Sequence, residues 1–377
     1  MTPAKPSLDM LRSLTDEHVL RALMEHRRLT RAELATRTGI SKPTISESVR
    51  RLASAGLVAD TGERTTGRGR VGSYYALARD AGCALVVSVA PGGVMAEAVD
   101  AYGDVVARAT EAVEHPAPSP QVVRALETAT RRVREDGARR FRLAVVSAAD
   151  PVDRATGRLV HLPDAPFLLG ELSPPDILAS TVDGPVIVDN DVNWAARAER
   201  AAAPGLDDFV YLHLGEGLGC AVVNDGEVRR GHAGLVGEIA HVLTPGPTGA
   251  AVPFTEVFGA LGLRRPGSTA IDVDALRAQV DSPRNATVLG ALSRAVGGVL
   301  AATVALADPE LVVIGGTWGI HHAVLDAITD DVRQHPRPVP VRAARATGHP
   351  ALAGARDHAV DELRSAITNA SRPPAAR

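Results

Sequence analysis

At 377 residues the chain exceeds what one hydrophobic core usually organises, so two or three domains are expected. With 45% apolar residues, 35 Gly and 26 Pro it reads as globular and turn-rich, which excludes a disordered class. The formal net charge of −3 hides an asymmetry: residues 1–80 carry 14 Lys+Arg against 9 Asp+Glu, and the remainder 27 against 35, so only the N-terminal part suits a polyanion.

No apolar run reaches the roughly 18 residues of a membrane span, and the start, MTPAKPSLDM, lacks the apolar stretch of a signal peptide, so a cytoplasmic protein without membrane contact is expected. Two cysteines, Cys83 and Cys220, give neither a disulfide framework nor a metal-ligand spacing and are read as small buried apolar residues.

Val19, Leu20 and Leu23 recur at helical spacing and end in His26-Arg27-Arg28, which predicts a first helix with cations in its last turn. Thr30 with Glu33 forms a capping box for a second helix, and Thr38-Gly39-Ile40 is the turn after it. Ser41 caps a third helix whose Ile45, Val49 and Leu52 share one face; Lys42, Thr44, Ser46, Glu47, Arg50 and Arg51 lie opposite, and Ala55-Gly56 stops it. Two short helices across a Gly-containing turn, the second with short polar residues at its start, is the arrangement that enters a DNA major groove. Ser41, Lys42, Thr44, Ser46 and Arg50 are therefore the candidate DNA contacts of this helix.

The following segment, TGERTTGRGRVGSYYAL, interleaves glycines with Arg64, Arg68 and Arg70 before a strand at Tyr74–Leu77. It reads as a β-hairpin wing, with Arg68 and Arg70 as candidate contacts to phosphates or a narrow minor groove; a solvated surface loop is the alternative. From Ala84 the pattern turns to strands, at ALVVSVA, at two segments joined around Tyr102-Gly103, and at 142–149, 185–191, 209–217, 220–231 around Asp225-Gly226, and 311–316. Helices intervene at about 120–137, 192–203 and 284–307, which makes the body α/β.

The stretches PVDRATGRLVHLP, VDNDVNWAARAE, LGEGLGCAVVNDGEVRRGHAGLVGEIAHV and DPELVVIGG, in this order behind the winged helix-turn-helix, resemble the ROK family of repressors, open reading frames and kinases. The resemblance implies an α/β chain: residues 1–80 as a winged helix-turn-helix DNA-binding domain, followed by a two-lobed actin-like (sugar kinase/ribonuclease H-like) sensor domain. Its first lobe would be 81–190 and its second 191–377, with the C-terminal helix returning to the first.

In the family's kinases an Asn-Asp pair at a strand end orients the sugar and takes a proton from its hydroxyl; the matching positions are Asn190 and Asp191, with an Asx turn capping the next helix as the alternative. Glu238 and His241 of GEIAH, with Ala240 where the family has Gly, and Glu256 complete the implied sugar contacts; taken singly, these residues would be ordinary surface carboxylates and a satisfied histidine. The family's zinc segment has three cysteines, but Pro247, Gly249 and Phe254 stand at those positions, so no metal is expected and the loop is read as held by prolines and Phe254.

The family's first phosphate loop, Asp-x-Gly-Gly-Thr-Lys, is here Ala90-Pro91-Gly92-Gly93-Val94-Met95, which leaves nothing to neutralise a transferring phosphoryl group. In the second, Gly215-Glu216-Gly217-Leu218-Gly219, Glu216 would repel phosphate, and the glycines alone are explained by tight turns. The reading is a regulator and not an enzyme, without cofactor: a homodimer or dimer of dimers on a double-stranded, palindromic DNA operator, responding to a sugar or sugar derivative. A regulator that senses another metabolite or none, and an active sugar kinase, remain as alternatives.

Overall fold

A computed structural model describes residues 8–66, 71–137, 140–162, 166–282 and 286–371. The N-terminal unit comprises helices α1 (Leu8–His26), α2 (Arg31–Thr38) and α3 (Lys42–Ser54) and strands β1 (Arg28–Thr30), β2 (Val58–Arg64) and β3 (Ser73–Leu77), the strands forming a sheet in the order β1-β3-β2. Helix α1 ends at His26, two residues before Arg28, because Arg27 takes a left-handed backbone (φ 63°) that feeds β1, a strand too short for the sequence pattern to reveal. The capping box forms as expected: Glu33 N donates to Thr30 Oγ1 at 3.2 Å and Thr30 N to Glu33 Oε2 at 2.8 Å. Gly39 supplies the left-handed C-cap of α2.

Ile45, Val49 and Leu52 are buried against Val19, Leu20 and Leu23. A buried polar contact reinforces this packing: Asp16 of α1 accepts from Ser48 Oγ at 2.5 Å and from Arg51 Nη2 at 2.7 Å, so one carboxylate holds α3 against α1. Arg51 thus works inside the fold although the helical wheel groups it with the exposed residues.

The body is built twice on one plan. In the first lobe β4 (Cys83–Ala90), β5 (Gly93–Val99) and β6 (Val105–Glu111) form an antiparallel meander, and β8 (Phe141–Ala148) and β10 (Val186–Asn190) add in parallel beside β4, giving the order β10-β8-β4-β5-β6. Between them lie the short parallel pair β7 (Ala117–Pro118) and β9 (Leu168–Leu169), helix α4 (Ser119–Glu135) and α5 (Pro174–Leu178).

Helix α6 (Asp191–Ala202) leads to the second lobe. There β11 (Phe209–Leu214), β12 (Leu218–Asn224) and β13 (Glu227–Val228) repeat the meander, closed by a turn in which Asp225 and Gly226 both have positive φ. The hairpin β14 (Leu243–Pro245) and β15 (Ala251–Pro253), then α7 (Phe254–Ala260), α8 (Val273–Val280) and α9 (Ala286–Ala307), precede β16 (Leu311–Gly315), α10 (His322–Val332) and β17 (Val341–Ala343). Strands β16 and β17 run parallel to β11, which completes the order β13-β12-β11-β16-β17.

The last helix, α11 (Pro350–Ala370), turns back to pack on α6, β8, β4 and α1. Both cysteines are buried and unpaired. The sequence expectation about membrane spans needs one correction: α9 is long and apolar enough, by length and composition alone, to cross a membrane. Its Leu292, Val296, Val299 and Leu300 are instead buried in the second-lobe core.

Replacing Asp16 by Ala strands the Arg51 guanidinium and the Ser48 hydroxyl and is expected to lower stability by about 2–4 kcal/mol. Arg50→Ala, which loses an exposed pair with Glu47, is expected to change it by less than about 1 kcal/mol. Urea denaturation of the two variants checks this, and equal effects would refute the structural role given to Asp16.

Candidate functional site

Two surfaces carry functional chemistry. On α3, Ser41, Lys42, Thr44 and Arg50 are exposed and Ser46 is half-buried. Ser41 Oγ lies 2.7 Å from Thr44 Oγ1 and accepts from Thr44 N at 3.4 Å, so the cap also sets the start of the exposed face. Arg50 pairs with Glu47, and the sequence candidates Arg68 and Arg70 lie outside the described residues. The surface therefore has cations and short hydroxyl side chains at a helix N-terminus, groups that reach phosphates and base edges.

The second surface is a cleft of about 440 Å³ at the carboxyl ends of β8, β10 and β11, lined by residues of both lobes. It brings together Asn190, Asp191, Glu238 and His241, four residues nominated from sequence, and adds Asp150, His213, Phe167 and Glu216. Asn190 ends β10 and caps α6: its Oδ1 accepts from Val192 N at 2.9 Å, and its Nδ2 donates to the Asp150 carbonyl at 3.2 Å and, at 3.4 Å, to that of Ala148. The amide thus fixes the Ala148–Asp150 segment beside the first turn of α6, where Asp191 stands.

Glu238 is placed by Gly237, whose φ of 99° suits glycine and whose position leaves no room for a side chain: a Cβ there would overlap the Cys220 carbonyl oxygen of β12. The loop is also tied across the lobes, because Arg230 Nε donates to the buried Asp189 carboxylate at 2.8 Å and Arg154 N to the Ala233 carbonyl at 3.1 Å.

Glu256 departs from the sequence expectation. It is not among the cleft-lining residues; its carboxylate accepts from Arg264 Nη2 at 3.0 Å, and its side chain is 55% exposed. Asp150 is the residue that sequence reasoning missed. It follows the end of β8, next to the strand that Asn190 terminates, and the strand ends of open α/β sheets are where ligands bind; that placement was the available signal.

The cleft is acidic, and its carboxyl groups are largely buried. Burial pushes the Asp150 carboxyl up to about 6, against the opposing effect of His161. Burial, with the charges of Asp150 and Glu238, pushes Asp191 up to about 7, and burial with Asp150 pushes Glu238 up to about 7. Burial alone lowers His213 to about 4, so its imidazole is neutral at pH 7. Carboxyls that are part protonated near neutrality both donate to and accept from hydroxyl groups.

The residues present fit neither a zinc ion nor a magnesium nucleotide. Where zinc would need thiolates, β14 and β15 pair as a hairpin, Thr244 Oγ1 donates to the Ala295 carbonyl of α9 at 2.5 Å, and the buried Phe254 ring meets Phe258 edge to face at 5.5 Å. At the first loop the backbone turns tightly from β4 to β5, with Gly93 against the Glu111 carbonyl and Pro91 facing the cleft. Neither turn presents a donor set for the ion.

All three acidic groups hold their protons to higher pH in the folded chain than in the unfolded one. The stability they contribute is complete below about pH 4 and is lost as pH rises through about 6 to 7. Asp150→Asn is expected to gain stability relative to wild type over that rise, by on the order of 1–3 kcal/mol by pH 8. Denaturation at pH 4 and pH 8 measures it; a pH-independent difference would contradict the burial of this charge.

A model of the ROK family matches residues 88–257, and a winged helix-turn-helix DNA-binding model matches residues 12–59. Among curated relatives, the bifunctional enzyme NanE/NanK of Brucella melitensis is 30% identical over 173 residues, 43% of this chain and 33% of that protein. The N-acetylmannosamine kinase of Salmonella typhi is 28% identical over 184 residues, 45% of this chain and 63% of that protein. The chain thus spans between one third and under two thirds of the length of these relatives.

Among solved structures, a ROK family transcriptional regulator described as a homolog of the E. coli MLC protein superposes with a TM-score of 0.64 at 18% identity, covering 95% of this chain and 99% of that one. A ROK hexokinase from Thermus thermophilus gives 0.57 at 25% identity, covering 75% and 99% of the two chains. A ROK glucokinase from Streptomyces griseus, solved with glucose and AMPPNP, gives 0.54 at 25% identity, covering 74% and 99%.

Proposed function

We propose that this chain, a ROK family domain behind a winged helix-turn-helix, is a cytoplasmic DNA-binding transcriptional regulator, and that it acts as a repressor responding to a sugar or sugar derivative without phosphorylating it. The observation that carries the reading is the pairing, in one chain, of an exposed recognition helix with a sugar-sized cleft whose first hairpin, Ala90–Met95, offers no carboxylate, hydroxyl or ammonium to a phosphoryl group. The similar N-acetylmannosamine kinase, and the similar glucokinase solved with glucose, support a saccharide as the ligand class.

Coupling between the two surfaces is supported by the joint between them. Arg27, after α1, makes a two-pronged ion pair with Asp104 at 2.5 and 2.9 Å, while the Tyr102 hydroxyl donates to the Arg27 carbonyl at 3.2 Å and accepts from Leu77 N at 3.1 Å. A ligand that draws the lobes together moves the reading head with the first lobe. In a homodimer on a palindromic operator that motion changes the spacing of two heads, and a palindrome is read only when the spacing matches.

Two tests follow. With an operator selected from a random duplex library, Ala at Lys42, Thr44, Ser46 or Arg50 is expected to lower the preference for operator over random DNA by about 1–3 kcal/mol at base-reading positions. An unchanged preference in all four would refute the assignment of α3.

The second test uses N-acetylmannosamine and glucose as probes in a DNA-binding titration. Asp191→Asn is expected to weaken the sugar effect roughly five- to 150-fold at pH 8, where the carboxyl is mostly ionised and accepts from a hydroxyl that the amide would mismatch, and to leave sugar-free operator affinity unchanged. ATP-dependent phosphorylation of either sugar that disappears in Asp191→Asn would replace this reading with a kinase.

A further inference from the structure

Glu216 stands at the tip of the β11–β12 turn, in the cleft lining, and its carboxylate is claimed from two directions. His115, on the connection between β6 and β7 in the first lobe, places Nε2 2.8 Å from Glu216 Oε1. Arg265, between α7 and α8 in the second lobe, brings Nε to 2.9 Å from the same oxygen. The surroundings hold this meeting point in place. The His115 ring packs 5.6 Å from Phe167, a Cβ on Gly217 would touch Phe167, and Ile271 N donates to the Glu216 carbonyl at 2.9 Å.

A carboxylate, an imidazole and a guanidinium converging inside a cleft have a simple alternative state. Remove the carboxylate, and a donor from each lobe is left pointing into a glycine turn, an arrangement that accepts an anion. We infer that Glu216 is a built-in anion: it fills the anion-accepting corner of the cleft, ties the two lobes through His115 and Arg265, and so restricts the cleft to ligands that carry no phosphate. The inference rests on the cleft being the ligand site, and it names Glu216 as the residue that separates free sugars from phosphorylated ones.

The experiment uses inorganic phosphate as the probe on the full chain, compared with chloride at matched ionic strength, and reads the melting temperature. Fluorescence of Trp318 provides a second readout, because its Nε1 donates to the Gly215 carbonyl of the same turn at 2.8 Å. Wild type is expected to show no phosphate-specific change. Glu216→Gln and Glu216→Ala, read independently, are expected to gain phosphate affinity roughly tenfold or more, as one charge-assisted contact allows. Adding Arg265→Gln to either is expected to erase the gain.

A phosphate response in wild type overturns the inference whether or not the variants fold, and folded variants without a gain overturn it as well. Because no sugar is present, this result is separate from the sugar reading. An absent response to every sugar, with the phosphate results as expected, would count against that reading alone.

Discussion

One helix makes the N-terminal unit and the first lobe a single mechanical object. The buried face of α11 is shared: Leu352, Ala355 and Ala359 meet Trp194 of α6 and the first-lobe sheet, while Val360, Leu363 and Ile367 belong to the same apolar cluster as Val19, Leu20 and Leu23 of α1. The burial of each Leu, Val or Ile of this face favours association by about 1.5–3 kcal/mol, so a DNA-reading unit that could have hung on a linker is continuous with the core beneath the cleft. The exposed pair Arg27–Asp104 contributes little energy by comparison. Its part is directional, fixing which side of the β5–β6 turn the helix meets.

The cleft follows from the same architecture. The two sheets share one strand order, with α6 packed on both and α11 on α6 and the first; the ends of β8 and β10 deliver Asp150 and Asp191, and the loop after β13 delivers Glu238, to one cleft. Acidic groups held so close resist ionisation, and the fold tolerates this cost because backbone amides and the Asn190 side chain fix the segments that carry them. The positions that handle phosphate in similar kinases have gone another way, into a tight hairpin at Gly93 and an ion cluster at Glu216.

Much of this was legible in the sequence because it is local. The capping box at Thr30, the apolar spacing of α3, the Asp225-Gly226 turn and the strands flanking it depend on neighbours a few residues apart. What depended on distant partners was not legible. Glu256 satisfies itself with Arg264 and not with the cleft, Arg51 turns inward to Asp16, and Asn190, whose capping turn the sequence did offer, also clamps the carbonyls of Ala148 and Asp150 after β8. Asp150 has no motif of its own; only the pairing of β8 with β10 places it beside Asn190. The hairpin β14–β15 replaces a metal-binding stretch with pairing and an aromatic contact, and the prolines and Phe254 in the sequence pointed to the substitution without fixing its geometry.

Helix α3 divides its labour between disjoint sets of residues. Ile45, Ser48, Val49, Arg51 and Leu52 anchor it through apolar burial and the Asp16 carboxylate, while Ser41, Lys42, Thr44 and Arg50 face solvent, and Ser46 and Arg51 are half-buried between the two sets. A helix organised in this way can exchange its outward alphabet without disturbing its own foundation. Single substitutions on its exposed face therefore leave the fold intact, which makes this surface a convenient one for redesign.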